Sequence, residues 1–278
     1  MSDMKYTSLA PAELLSPIKT FECGQCFRWN ADAEGVYTGV VGKRVLRVRE
    51  KEKSVLCSAP EAELPFWESY FDLDTDYSGI DAFLTDGSYL RDCAEYGLGI
   101  RILRQEPWEA LCSFIISQCN NIPRIKGIVE SLCRSFGDEL EPGIFSFPEP
   151  ERIAPLSEQE LAPLRCGYRA EYILNAARQV SEGRLDLEAL SSMDGDEAFS
   201  KITSLKGVGK KVANCFMLYG LHRMDRFPID VWMKRALKEH FPPDFDPGIF
   251  GNYSGLAQQY IFYYARTEEN SRKVGQSS

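Results

Sequence analysis

The pattern of hydrophobic and polar positions changes along the chain, and the first pattern lies near the N-terminus. In the run VYTGVVGKRVLRVREKEKSVLCS (36–58) apolar and polar residues alternate, with interruptions at Gly42 and at charged turn residues. Alternation with a period of two is typical of half-buried strands, and short polar breaks between such runs favour antiparallel hairpins. The pattern predicts a β-rich segment over residues 1–80, built as an antiparallel meander.

From about Ile80 onward the apolar positions recur three or four residues apart. The run PWEALCSFIISQCNNIPRIKGIVESLCRSFG (107–137) shows this spacing and is broken near Asn120, Asn121 and Pro123. The spacing is typical of amphipathic helices, whose ends are marked by glycine and proline. The sequence therefore predicts an α+β fold: an antiparallel β-sheet domain over 1–80, a mainly helical domain over 81–266, and a disordered polar tail over 267–278.

Size and composition narrow the classes of protein that the chain can be. It has 278 residues, of which 44% are hydrophobic and 26% charged, enough to bury a sizeable core. No apolar run reaches the roughly 18 to 20 residues that cross a bilayer, and the N-terminus lacks the pattern of a secretory signal. We expect a monomer that does not bind membranes. It would work in the cytoplasm beside the nucleoid of a prokaryote, or in a eukaryotic nucleus.

Nine cysteines are scattered through the chain. An odd number without an export signal favours reduced thiols over a disulfide framework. Cys23 and Cys26 have the spacing of a zinc-binding pair, but no second Cys/His pair lies at a suitable distance, so we interpret the pair as coincidental. No group of four cysteines lies near the C-terminus, and the sequence does not predict an iron–sulfur cluster.

The net charge of −9 argues against nucleic-acid binding, but its distribution does not. Residues 201–240 carry nine basic and three acidic side chains, a local net charge of +6. Because DNA responds to the face that it touches, a local excess of this kind suits a DNA-binding surface. A solvated helix surface would give the same pattern.

Within this basic segment, the run from Leu205 to Cys215 predicts two helices joined by a turn that contains Gly207 and Gly209. Glycines allow a tight turn whose backbone N–H groups point outward at the start of the next helix, an arrangement that suits a phosphate. At about 100° per residue, Lys211 falls at the edge of the apolar face of that helix, whereas Lys210 falls opposite it. Desolvation at a helix N-terminus would make the Lys211 amine a better nucleophile, although two surface lysines remain the plain alternative.

Nineteen residues further on, Asp230 opens another predicted helix. Aspartate is common at this position as an N-cap, which needs no catalytic explanation. A cap carboxylate can also face a cleft and stabilise positive charge or move protons. The interval from Lys211 allows one helix and a return loop.

Together, GVGKKVANC (207–215) and PIDVW (228–232) resemble the hairpin, lysine and aspartate signature of helix-hairpin-helix DNA glycosylases. Within that superfamily the chain most resembles the 8-oxoguanine DNA glycosylase/AP lyase family. The resemblance spans nearly the whole chain through six further motifs: GQCFRW (24–29), YFDLD (70–74), RILRQEPWEALCSFI (101–115), NNIPRI (120–125), GYRAEYI (167–173) and LAQQYIF (256–262).

The resemblance implies a bifunctional enzyme of base excision repair that flips 8-oxoguanine out of duplex DNA and removes it. Lys211 matches the nucleophile that attacks C1′ and forms a Schiff base, after which β-elimination cleaves the strand. Asp230 matches the aspartate that supports this chemistry. No cofactor is required for catalysis.

The resemblance also implies where the flipped base binds. The backbone carbonyl of Gly24 would accept a hydrogen bond from N7–H, which 8-oxoguanine has and guanine lacks. Cys215 and Phe262 would sandwich the ring, and Gln258 would meet its Watson–Crick edge. Without the family match, Phe262 would be read as core and Gln258 as solvent-facing.

Three further sets of residues match family positions. The residues that fill the vacated space and contact the orphaned cytosine are Asn120, Arg124, Tyr168 and Arg169. The phosphate contacts are Gly207, Gly209 and Val212. A structural monovalent or divalent cation would be bound by the backbone carbonyls of Thr203, Leu205 and Val208.

Two positions depart from the family pattern. Cys119 replaces an asparagine and weakens the predicted preference for cytosine, while Trp232 replaces a histidine beside a phosphate. Two alternatives remain open from the sequence: a glycosylase for another damaged or mispaired base, and a non-catalytic helix-hairpin-helix module that only binds DNA.

Overall fold

The computed structural model describes residues 5–275, and their side chains as far as residue 268. The α-helices are α1 (Pro17–Glu22), α2 (Leu64–Tyr70), α3 (Tyr89–Gly97), α4 (Pro107–Ile116), α5 (Ile122–Phe136), α6 (Pro150–Ile153), α7 (Glu158–Leu161), α8 (Arg169–Ser181), α9 (Leu187–Ser192), α10 (Gly195–Thr203), α11 (Lys210–Tyr219), α12 (Val231–His240) and α13 (Ser254–Gly275). The strands are β1 (Thr7–Pro11), β2 (Asn30–Ala31), β3 (Tyr37–Val41), β4 (Arg44–Lys51), β5 (Ser54–Cys57), β6 (Glu139–Glu141) and β7 (Ile144–Phe145). None of the helices described is long and apolar enough to span a membrane.

Five of the strands form one antiparallel sheet in the order β1-β5-β4-β3-β2. Strands β4 and β5 pair in the register Val48↔Cys57 to Lys51↔Ser54 across a tight turn. Leu46, Val48, Val55 and Cys57 are fully buried, so alternate residues of both strands face the core. The predicted meander is confirmed.

Two features of the secondary structure go beyond the pattern analysis. Helices α1 and α2 lie within the first 80 residues, where fully buried Phe21 and Trp67 place their apolar faces in the core. A small hairpin, β6–β7, interrupts the helical region, with Gly143 in the left-handed conformation at φ +77°. The helices in the first 80 residues are too short for a 3.6-residue period to show in the sequence.

The chain divides into two compact units, each made of discontinuous segments. Unit one comprises residues 1–25, 48–103 and 223–278, and unit two comprises 26–47 and 104–222. The predicted boundary near residue 80 stays a prediction. So does the disorder of the tail, which begins within α13 and whose last three residues lie outside the described residues.

Helix α4 is the centre of unit two. All but two of its residues are buried, and it packs against α5, α8 and α11. A helix that is apolar on every side is stable only when neighbours surround it. In unit one, α13 has the corresponding place and packs against α3 and α12.

A buried ion pair lies on α4. Glu109 Oε2 is 3.7 Å from Arg28 Nη1, and the two side chains are only 14% and 4% exposed. Arg28 also donates from Nη2 to the carbonyl of Phe145 at 2.5 Å. Burial raises the pKa of the Glu109 carboxyl from 4.5 to about 7, although the nearby guanidinium opposes the change.

The raised pKa of Glu109 predicts a pH-dependent stability. The folded state holds this proton more tightly than the unfolded state, so the stabilisation is complete below about pH 4 and is lost as the pH rises through 7. Between pH 5 and pH 8, the free energy of unfolding of the parent should fall by about 2.5 kcal/mol relative to Glu109→Gln. Urea unfolding of both proteins at the two pH values measures this difference. Glu151→Gln, at an exposed position of α6, is the control, and parallel pH profiles for parent and Glu109→Gln would contradict the assignment.

Candidate active site

The hairpin between α10 and α11 depends on two glycines with different roles. At Gly207 the backbone adopts φ +80°, and a Cβ there would lie 2.2 Å from the ring of Tyr172. Gly209 is the N-cap of α11 with φ −89°, and a Cβ there would meet nothing within 4 Å. The first glycine is required by the turn, while the second leaves the start of α11 open to solvent.

The start of α11 has the features of an anion site. Its first i→i−4 hydrogen bond is donated by Ala213 N to the carbonyl of Gly209 at 3.0 Å. The N–H groups before Ala213, including that of Val212, therefore have no partner within the helix, and the helix dipole adds partial positive charge. The predicted phosphate contacts lie in the glycine turn, at Gly207 and Gly209, and in the first turn of α11, at Val212.

The three carbonyls predicted to bind a cation lie on the same hairpin, at Thr203, Leu205 and Val208. Leu205 O already accepts a hydrogen bond from Val208 N at 3.1 Å, which leaves its second lone pair for a cation. Among the residues described, no cluster of three or more His, Cys, Asp or Glu side chains could hold a metal ion.

Lys211 lies at the edge of the buried face of α11, as the helical spacing predicts. It is half-buried, Lys210 is exposed, and Val212, Cys215 and Phe216 are buried beside it. The Lys211 Nζ lies 3.4 Å from Ser117 Oγ. It also lies 5.7 Å from the ring centroid of Phe114, within the range of a cation–π contact.

Ser117 and Phe114 were missed by the sequence reasoning. Ser117 caps the C-terminus of α4 and donates its hydroxyl hydrogen to the carbonyl of Phe114 at 2.8 Å, so its lone pairs are directed to an outside donor such as Lys211. The Phe114 ring stacks on Tyr219 at 5.2 Å and is thereby fixed. Because 94 residues separate Ser117 from Lys211, no local pattern could have indicated this contact.

In unit one, Asp230 is the N-cap of α12. Its Oδ1 accepts a hydrogen bond from Met233 N at 2.9 Å, which fixes the carboxylate at the start of the helix. On either side, Ile229 is 38% exposed and Val231 63% exposed.

Three of the four predicted base-pocket residues also belong to unit one. Gly24 follows α1 with φ +85°. Gln258 and Phe262 lie one helical turn apart on α13; Gln258 is buried and Phe262 half-buried, 5.7 Å from the guanidinium of Arg266. The fourth, Cys215, is buried on α11 in unit two and forms no disulfide. Their joint role in one pocket stays a prediction.

The residues predicted to contact the orphaned base lie in unit two, at the α4–α5 loop and the start of α8. Tyr168 is 51% exposed, with its hydroxyl 3.4 Å from the carbonyl of Gln118. Arg124 is exposed and contacts the carbonyl of Arg165 at 3.4 Å. Asn120 instead donates to the carbonyl of Ile116, the last residue of α4, at 3.1 Å.

Arg169 differs from Arg124 because its guanidinium points inward. It is 4% exposed and donates to the backbone carbonyls of Gln118 (from Nε, 2.9 Å), Cys119 (3.2 Å) and Cys166 (3.2 Å). Cys119 itself is exposed and has φ +48°, an unusual conformation for a residue with a side chain. Arg169 therefore holds the loop in shape, and its predicted contact with the cytosine stays a prediction.

Comparisons with known proteins fit this geometry. Residues 8–111 match the N-terminal domain of 8-oxoguanine DNA glycosylases, and residues 112–247 match the HhH-GPD superfamily of base excision DNA repair proteins. The N-glycosylase/DNA lyase OGG1 of Arabidopsis thaliana is 30% identical over 291 residues, covering 91% of this chain and 78% of that protein. The chain belongs to the 8-oxoguanine DNA glycosylase family.

Solved structures of similar proteins agree. The 8-oxoguanine glycosylase/lyase of Clostridium acetobutylicum, in complex with double-stranded DNA containing cytosine opposite 8-oxoguanine, superposes with a TM-score of 0.86. It is 35% identical, and the match covers 92% of this chain and 93% of that chain. MBOgg1, in complex with a low-affinity DNA ligand, has a TM-score of 0.85 and 38% identity, covering 96% of this chain and all of that one.

Family membership confirms the predicted fold class and the predicted enzyme class. This 8-oxoguanine glycosylase family member is an N-glycosylase with DNA lyase activity, and it acts in base excision repair. Enzymes of the family generally need no catalytic cofactor.

The two hairpin glycines should respond differently to the same substitution. Gly207→Ala should lower the free energy of unfolding by about 2–4 kcal/mol, because it combines a positive φ with a clash against Tyr172. Gly209→Ala should change it by less than about 1 kcal/mol, because its backbone conformation is open to any residue. Urea unfolding of the two variants measures both effects, and equal losses would show that the hairpin is built differently.

Proposed function

We propose that this enzyme excises 8-oxoguanine opposite cytosine from duplex DNA, with Lys211 as the nucleophile. The observation that carries the proposal is the place of Lys211. It lies one residue inside the N-terminus of α11, directly behind the glycine turn, with Nζ held at 3.4 Å from Ser117 Oγ and against the Phe114 ring. A surface lysine that only attracts phosphate would need neither contact.

The position accounts for the order of chemical steps. The deprotonated Nζ attacks C1′ of the flipped nucleotide, the C1′–N9 bond breaks, and the base leaves with a proton. Opening of the sugar ring converts the Nζ–C1′ adduct to a Schiff base. Loss of a proton from C2′ then breaks the C3′–O bond, so strand cleavage follows from the same covalent intermediate.

Asp230 supplies negative charge for this reaction in the proposal. As the sugar loses its base, positive charge develops near C1′, and a carboxylate at a fixed position stabilises it. The hydrogen bond from Met233 N holds the carboxylate through Oδ1 at 2.9 Å and so leaves Oδ2 outside that bond.

The substrate is assigned through the residues that would read the base. The carbonyl of Gly24 accepts from N7–H of 8-oxoguanine and meets a lone pair on N7 of guanine, which disfavours the normal base. Gln258 reads the Watson–Crick edge, and Phe262 and Cys215 contact the ring faces. Damaged-base binding requires extrusion from the duplex, and the exposed Tyr168 is the wedge that replaces the base.

A structural cation completes the proposed hairpin. The carbonyls of Thr203, Leu205 and Val208 are neutral oxygen donors, the type of ligand that suits a hard monovalent or divalent cation. We assign this ion a structural role, because the protein groups that take part in the proposed reaction are the side chains of Lys211 and Asp230, and neither is a proposed ligand of the ion.

Borohydride trapping tests the central assignment. On a duplex with 8-oxoguanine opposite cytosine, the parent and Lys210→Gln should form a covalent adduct, because Lys210 is exposed on the opposite side of the helix. Lys211→Gln should form none and should lose more than about 10³-fold in cleavage, since no other amine attacks C1′. An adduct formed only with another lesion would assign a different substrate, and DNA binding without any adduct would reduce the protein to a binding module.

Replacing Arg124 should affect the preference for the opposite base, whereas replacing Arg169 should affect the stability of the protein. Arg124→Ala should reduce the preference for cytosine over the other three opposite bases while changing the free energy of unfolding by less than about 0.5 kcal/mol. Arg169→Ala should lower that free energy by about 2–4 kcal/mol, because the carbonyls of Gln118, Cys119 and Cys166 all lose their donor. Excision opposite all four bases and urea unfolding give both readouts. A stable Arg169→Ala protein with altered base preference would instead make Arg169 a direct base contact.

A further inference from the structure

The turn that carries Gly24 is tied to α13 by one buried side chain. Gln259 is fully buried, and its Nε2 donates a hydrogen bond of 2.9 Å to the carbonyl of Cys23. The two residues are 236 positions apart in the sequence. Neither the helical pattern nor the family resemblance assigned a role to Gln259.

The bond acts on the peptide next to the proposed base-reading carbonyl. Cys23 is the C-cap of α1, and Gly24 follows with φ +85°, a conformation that glycine tolerates and other residues seldom adopt. Because glycine rotates freely, the direction of the Gly24 carbonyl is set by the residues on either side of it. The peptide before Gly24 is the one whose oxygen Gln259 holds.

The peptide after Gly24 is held by Gln25. This side chain is fully buried and donates from Nε2 to the carbonyls of Thr20 (3.1 Å) and Arg101 (2.8 Å). Its Oε1 accepts from Leu103 N at 2.9 Å. Gly24 is thus fixed from both sides, by Gln25 toward the 101–103 segment and by Gln259 toward α13.

The link to α13 matters because α13 also carries Gln258 and Phe262. Consecutive residues of a helix point about 100° apart, so Gln258 and Gln259 cannot share a direction. Gln258 is the one proposed to meet the base edge, while Gln259 reaches the turn of Gly24. The hydrogen bond to Cys23 therefore sets the spacing between the proposed carbonyl reader and the helix that bears the other two readers.

We infer that Gln259 is a positioning residue for damaged-base recognition: by holding the carbonyl of Cys23, it orients the Gly24 carbonyl toward N7–H of 8-oxoguanine. The inference rests on the proposed function, since it requires Gly24 to read the base. Gln259 itself does not touch the substrate.

A preformed abasic site separates this role from a general structural one. It has no base to read, so its cleavage depends on Lys211 and the DNA grip and not on the orientation of Gly24. Loss of Gln259 should therefore affect base excision and spare cleavage at an abasic site. A variant that is merely destabilised would lose both activities together.

The test uses Gln259→Met, which keeps the side-chain length and removes the amide. In single-turnover reactions we expect excision of 8-oxoguanine to slow by about tenfold or more, the effect of one unmade buried hydrogen bond. Cleavage of a matched abasic duplex should stay within about twofold. Gln179→Met, the same substitution on α8, is the control and should change neither rate.

Equal slowing of the two reactions in Gln259→Met, or no slowing in either, overturns the inference. If Gln259→Met does not fold, as judged by thermal unfolding, Gln259→Leu gives the same comparison, because it fills the buried space with apolar atoms and has no donor for the Cys23 carbonyl. Failure of the parent itself to excise 8-oxoguanine while cleaving abasic DNA would instead overturn the proposed substrate. That result concerns the parent, so it can be distinguished from the outcomes for Gln259→Met.

Discussion

The proposed chemistry depends on the packing of α11 against α4. An amine that attacks a sugar must be held at one point, and a lysine side chain alone has too many rotatable bonds to stay there. The buried residues of α11 fix the helix, and the end of α4 supplies Ser117 and Phe114 to contact Nζ. Lys210, one position earlier, lies on the exposed side and has no such support.

The acidic overall charge is compatible with DNA binding because acidic side chains pair with only some of the basic residues in the segment 201–240. Lys206 forms an ion pair with Glu171, and Lys201 lies 3.5 Å from Glu197. The start of α11 adds partial charge from its N–H groups, which formal charge does not count. Phosphate binding at the hairpin is therefore local, and the excess of acids elsewhere limits non-specific attraction to DNA.

Local patterns predicted the parts of the fold that local chemistry determines. Alternation predicted β3 to β5, the Asn-Asn-x-Pro break predicted the end of α4 and the start of α5, and helical spacing placed Lys211 at the edge of a buried face. The contact of Ser117 with Lys211 and the inward turn of Arg169 could not be predicted. Both depend on which distant backbone groups tertiary packing brings together, and an arginine in a loop has the same local signature whether it faces solvent or its own carbonyls.

The same limit explains why two adjacent glutamines carry different proposed roles. Gln258 and Gln259 are the same residue type and are adjacent in LAQQYIF. Only the direction of each side chain on α13 distinguishes the proposed base contact, Gln258, from the residue that holds the Gly24 turn, Gln259. The nucleophile is fixed by α11 and α4, whereas three of the four proposed base readers, Gly24, Gln258 and Phe262, are fixed by the turn after α1 and by α13. Because different elements fix the two functions, substitutions at the turn can change the base that is recognised without moving the amine that cleaves.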